Sequence, residues 1–177
     1  MTPTIPGLEP WSVFHAAHAA LPAEEFLRRV RTPHLVVWTP LGQETPVEHF
    51  GTVHLAPMPW ARRGGVPQAV ARVEKRQDSN AFGQMVTLGR ASNNDVVLPH
   101  GAVSKFHAYL RRLEGRWLLS DAGSRNGTTV NGVAIAHDRP VAVASGDRIV
   151  LGGAVVLDLV EPEALRRLLL ETSACSA

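Results

Sequence analysis

Between residues 12 and 30 the apolar positions recur at helical spacing, with Phe14, Ala17, His18 and Leu21 on one face. Pro22 can open a second short helix, with Glu24 and Glu25 in its first turn and Arg28, Arg29 and Arg31 near its end, an arrangement that complements the helix dipole. Thr32-Pro33 stops it. Beyond that point the pattern changes to short apolar runs broken by Gly, Pro, Asn and Asp. Strands are predicted over residues 35–38, 53–55, 69–74, 85–88, 95–98, 106–113, 116–120, 128–130, 148–151 and 155–160. Glu114-Gly115 and Asn131-Gly132 are hairpin signals, because tight turns need the positive φ that glycine tolerates. Alternation separates Trp117 and Leu119 from Leu118 and Ser120, so one pair should face the core. After Pro162 a helical face returns with Leu165, Leu168 and Leu169, expected to pack against the sandwich edge. The first ten residues, with three prolines and a glycine, predict an extended arm with little order.

These elements predict a mainly β protein, an antiparallel β-sandwich with an N-terminal helical extension and a short C-terminal helix. Residues 1–33 form the arm and helices, 34–161 the sandwich, and 162–177 the last helix and a fraying tail. A chain of 177 residues with 13 prolines and 15 glycines suits such a turn-rich fold and can bury a core without metals or disulfides. The single cysteine, Cys175, can form no intramolecular disulfide, which points to a reducing compartment. With no membrane-length apolar run and no leader pattern, a cytoplasmic location is expected, with no membrane partner.

Charge argues against a nucleic-acid partner, since the net charge is only +2. Arg28, Arg29 and Arg31, Arg62 and Arg63, and Arg166 and Arg167 form separate short clusters that read as solvated faces. No phosphate-binding G-x-x-x-x-G-K-[ST] is present, and Gly152-Gly153 has no dinucleotide fingerprint around it. Cys175 sits in the tail, a poor place for a nucleophile that needs a held base. His15 and His18, three apart, could meet a metal, but a polar helix face explains them better. No catalytic residue, metal or cofactor is therefore expected.

The chemistry-bearing residues are concentrated in one block, over residues 85–153. It holds Gly89-Arg90, then Ser104-Lys105-Phe106-His107-Ala108, then Asp121-Ala122-Gly123-Ser124-Arg125-Asn126-Gly127-Thr128, then Asn131-Gly132. In that order and spacing the block resembles a forkhead-associated (FHA) domain. The resemblance implies a reader of phosphothreonine, a signalling adaptor whose partner is a protein phosphorylated by a Ser/Thr kinase. A phosphothreonine brings about −1.5 to −2 charges and three acceptor oxygens, so its receptor must supply several donors from converging loops.

On the resemblance, Arg90, Ser104, Lys105, Arg125 and Asn126 are the phosphopeptide-binding residues. Arg90 offers a planar fork to two phosphate oxygens, Ser104 a hydroxyl, and Lys105 and Arg125 further charge. Asn126 can pair with the ligand backbone through its amide. Gly89, His107, Gly127, Asn131 and Gly132 are implied as framework, with His107 orienting the serine by hydrogen bonding. Asn94 and Asp95 match a polar pair that shapes the loop after Gly-Arg. Two other readings are an FHA-fold scaffold that binds without phosphate and, further off, a small enzyme. Thr-Pro pairs at Thr2, Thr32, Thr39 and Thr45 admit recognition of the chain's own phosphorylated threonine, although prolines that punctuate loops explain them as well.

Overall fold

The computed structural model describes residues 5–39, 41, 67–77, 79–137 and 139–174. The expected strand at 53–55, most of the loop after it, and Thr2, Thr45 and Cys175 lie outside the described residues. In chain order the elements are β1 (Glu9–Pro10), α1 (Trp11–His18), α2 (Ala23–Arg29), β2 (His34–Val37), β3 (Ala69–Arg72), β4 (Met85–Gly89) and β5 (Val96–Val97). They continue with β6 (Ala108–Leu113), β7 (Arg116–Asp121), β8 (Thr128–Val130), β9 (Val133–Ala134), β10 (Val141–Val143), β11 (Arg148–Leu151), β12 (Val155–Val160) and α3 (Pro162–Ala174).

All four residues of β2 are buried. A strand without a polar face must be covered on both sides, and its position explains how. It lies inside a seven-stranded sheet ordered β1-β3-β2-β12-β11-β8-β9, which faces a five-stranded sheet ordered β10-β7-β6-β4-β5. Every pairing is antiparallel except that of β4 with β5. Leu35 and Val37 point between the sheets and join Leu88, Leu110, Leu119, Ile149, Leu151, Leu157 and Leu159. Trp117 packs on the same core, so the alternation places Trp117 and Leu119 inward. Val36 points the other way, into a second cluster with Trp11, Phe14, Phe26, Val160, Leu165 and Leu169.

That second cluster corrects one expectation. The C-terminal helix covers the outer face of the large sheet together with α2 rather than an edge, because Leu165 and Leu169 meet the outward valines. The first residues also differ from a loose arm. Leu8 is buried, β1 adds to the sheet beside β3, and the Val97 amide donates to the Pro6 carbonyl at 3.4 Å. The backbone can pass this closely because Gly7 has φ +77 and a Cβ there would overlap the Asp95 carbonyl oxygen. None of the described helices is long and apolar enough to cross a membrane.

Packing of α1 onto the large sheet also buries His34, whose ring lies 5.7 Å from that of Phe14 with the planes tilted by 50°, and donates from Nδ1 to the Thr32 carbonyl at 2.9 Å. Burial lowers its pKa to about 4, with the charges of Arg72 and His18 acting in the same direction and the Thr32 bond opposing them. The unfolded chain takes up this proton below its ordinary value of 6.5, whereas the fold resists it, so stability present above that pH is lost as pH falls toward about 4. We expect about 2 kcal/mol of unfolding free energy to be lost between pH 7.5 and pH 5 through this residue. Urea titrations of wild type and His34→Leu at both pH values check it; an equal loss in the two proteins would remove His34 as the cause.

Candidate functional site

Three loops meet at one end of the sandwich: residues 90–95 after β4, 98–107 before β6 and 122–127 between β7 and β8. Backbone bonds hold them together. The Arg90 amide donates to the Ser104 carbonyl at 3.0 Å and the Ala91 amide to the Lys105 carbonyl at 3.2 Å. The Arg125 amide donates to Ser104 Oγ at 3.0 Å, and Asn126 Nδ2 donates to the Ala102 carbonyl at 2.9 Å. Arg90, Ser104, Lys105, Arg125 and Asn126 are thus brought to one place from segments far apart in sequence.

His107 ties two of the loops. Its Nδ1 accepts the Ser104 amide at 3.0 Å, which leaves the ring proton on Nε2, and Nε2 donates to the Gly127 carbonyl at 3.1 Å. Burial pushes its pKa down, outweighing the Gly127 bond and nearby Asp121, and so favours the neutral ring that both bonds require. The Gly127 carbonyl takes a second bond, from the Gly152 amide at 2.9 Å. That contact links the site loop to the β11–β12 turn.

Two buried carboxylates fix the remaining loop shapes. Asp95 accepts the Thr87 amide at 2.8 Å, the Thr87 hydroxyl at 2.9 Å, the Arg76 amide at 2.9 Å and Lys75 Nζ at 3.1 Å, as well as the Ser79 hydroxyl. Asn94 beside it donates to the Ala91 and Lys105 carbonyls at 2.8 and 2.7 Å. A Cβ on Gly89 would collide with the Lys105 carbonyl and with Asn94, which is why glycine precedes Arg90. Asp121 accepts the Gly123 and Ser124 amides at 2.9 and 2.8 Å and the Ser124 and Thr128 hydroxyls at 2.6 Å. Burial raises its pKa, but the Ser124 and Thr128 bonds prevail and keep it low. Sequence reasoning gave Asp121 no role; its signal was the Asp-x-Gly-Ser spacing of a turn capped by a carboxylate.

Asn131 and Gly132 stand apart. They close the β8–β9 hairpin with φ of +51 and +82, at the end of β8 opposite Gly127. Asn131 bonds Asp147 at 2.8 Å and accepts the Arg148 amide at 2.9 Å, which braces the β10–β11 turn. Asn131 thus joins the β8–β9 hairpin to the β10–β11 turn, away from the three loops.

What remains unpaired defines the chemistry. Arg90, Lys105 and Arg125 are exposed, and their side chains bond to no described residue. Ser104 Oγ accepts a bond, so its proton is free to donate. Asn126 is exposed and keeps one amide hydrogen and its carbonyl oxygen. Three exposed cations, a hydroxyl donor and an amide are thus carried on loops that are bonded to one another, a combination that suits an anionic group. Among the described residues no group of His, Cys, Asp or Glu is placed to hold a metal ion.

Residues 86–152 match the FHA domain family. An ABC transporter ATP-binding/permease protein of Mycobacterium tuberculosis is 30% identical over 135 residues, covering 70% of this chain and 14% of that protein. Protein phosphatase 2C 70 of Arabidopsis thaliana is 40% identical over 77 residues, covering 38% of this chain and 13% of that protein. The chain thus spans 13–14% of the length of these relatives. A solved FHA domain of an Arabidopsis thaliana hypothetical protein is 19% identical with a TM-score of 0.47, covering 74% of this chain and 86% of that one.

Proposed function

With residues 86–152 an FHA domain, we propose that the chain captures phosphothreonine segments of a partner protein, without turnover, as a cytoplasmic adaptor downstream of a Ser/Thr kinase. The observation that carries this is the convergence of Arg90, Lys105 and Arg125, all unpaired among the described residues, around the Ser104 hydroxyl. Arg90 takes two phosphate oxygens, Ser104 donates to a third contact, and Lys105 and Arg125 add charge. Asn126 is held by Ala102 and reads the ligand backbone with its remaining groups.

The test is anisotropy titration at 0.15 M salt with one peptide in three forms, carrying phosphothreonine, threonine or glutamate. The phosphothreonine form should bind at least tenfold tighter than either other form. Equal affinity for threonine and phosphothreonine would sink the proposal. Recognition of the chain's own Thr-Pro pairs has one obstacle: the Thr39 hydroxyl donates to the Ala154 carbonyl at 3.0 Å and accepts the Val156 amide at 2.9 Å.

A further inference from the structure

The helices pack on the seven-stranded sheet, whereas Tyr109 of β6, in the five-stranded sheet, continues a ladder of aromatic rings with Phe82 in the loop before β4 and Phe106 in the loop before β6. Phe82 stacks on Phe106 with centroids 5.5 Å apart and planes 10° from parallel, and Phe106 stacks on Tyr109 at 6.1 Å and 23°. Phe106 lies between Lys105 and His107, so the ladder begins one residue from the cationic cluster. A ring serving only to anchor its loop would be buried, yet Phe82 leaves 49% of its surface exposed. The Tyr109 hydroxyl bonds to no described residue.

Phe82 is also held by the network that shapes the site. Its amide donates to Asn80 Oδ1 at 3.1 Å, and Asn80 Nδ2 donates to the Asn93 carbonyl at 3.0 Å and to Thr87 Oγ1 at 2.9 Å. The ring is therefore positioned relative to the loop after Arg90, not merely near it. Asn126 lies on the opposite flank, between β7 and β8, where the chain crosses to the other sheet. An extended segment rises about 3.3 Å per residue, so one anchored at Ser104 and Lys105 passes near Phe106, the next residue in the chain.

We propose that the Phe82–Phe106–Tyr109 ladder is a second contact of the site and takes an aromatic side chain of the bound phosphothreonine segment, on one side of the phosphothreonine only. The ladder's continuity with Lys105 favours the phosphorylated segment itself as occupant over a separate partner. This inference rests on the phosphothreonine reading. Stacked aromatic pairs are strong enough to alter affinity by about three- to tenfold.

The experiment uses the whole chain and a set of eleven-residue peptides with central phosphothreonine and alanine elsewhere, each with a single tryptophan moved through the four positions on either side. Wild type should bind one or two of these, all on one side, about three- to tenfold tighter than the all-alanine peptide, and Phe82→Ala should erase that preference while leaving the all-alanine affinity unchanged. Phe82→Trp should restore it. Equal affinities across the set, or a Phe82→Ala loss that falls equally on every peptide, would overturn the ladder contact and leave phosphothreonine capture standing. Failure of every peptide to bind would overturn both. A dimer lost on Phe82→Ala with peptide preference unchanged would assign the face to a second copy and overturn the proposal.

Discussion

Arg90→Ala lowers affinity for a phosphothreonine peptide by about a hundredfold or more and leaves the melting temperature within about 2 °C of wild type. The first half follows from charge and geometry. A guanidinium facing two phosphate oxygens makes two charge-assisted bonds, each worth about 1.5–3 kcal/mol, and neighbouring Lys105, an ammonium, cannot replace that fork. The second half follows from what Arg90 does not do within the fold. Its side chain is exposed and bonds to no described residue, whereas the backbone bond from its amide to Ser104 survives the substitution. Arg90→Lys retains charge without the fork and should fall between the two. Peptide titration beside thermal unfolding checks both halves, and a large drop in melting temperature would make Arg90 a structural residue.

Asp95→Asn has the converse profile: about 3–5 kcal/mol of stability is lost and the melting temperature falls by about 6–20 °C. The carboxylate is fully enclosed, and it accepts from two backbone amides, two hydroxyls and Lys75. An amide in its place turns an NH2 toward groups that are themselves donors, and the half-buried Lys75 loses its counter-charge. Burial raises the Asp95 pKa, but bonds from Ser79, Thr87, Arg76 and Lys75 overcome it and bring it to about 2. Because this folded value lies below the ordinary 3.8, the stabilisation is complete above that pH and is lost as pH falls toward 2. His34 acts between about 6.5 and 4, so the acid unfolding profile should show two separate declines. Unfolding curves of wild type and Asp95→Asn at pH 7, pH 4 and pH 2 check this, since the variant should lose less than wild type between pH 4 and pH 2.

The sandwich was legible in the sequence wherever a strand is long and its apolar residues are bounded by turn residues, as in β6, β7, β11 and β12. Of the short elements, β5 and β8 fell within predicted runs, whereas β1, β9 and β10 carry too little pattern to be recognised. β9 is exposed at both positions, β10 has one buried residue, and β1 contains a proline that only an edge strand tolerates. The converging loops were legible because Gly-Arg, Ser-x-x-His and Asn-Gly bring specific chemistry to fixed spacings. Asp95 was legible only as a residue shaping the loop after Arg90, because its donors Lys75, Arg76 and Ser79 come from another segment, and Asp121 left only the local Asp-x-Gly-Ser signal. The same limit hid the role of residues 5–10, whose order depends on β3 and β5 being in place.

The strand order of the large sheet also sets a timetable. β2 is flanked by β3 and β12, and the inner neighbour is supplied by residues 155–160, more than a hundred positions later in the chain. Pairings at such separation are slow to close. The Gly152 amide, which holds the Gly127 carbonyl of the site loop, arrives almost as late. Arg90 and Ser104 thus precede Gly152 by some distance in the chain, although His107 and Asn94, which also brace their loops, lie close to them. The Gly127 carbonyl of the site loop therefore gains its second bond only once the β11–β12 turn has joined the large sheet.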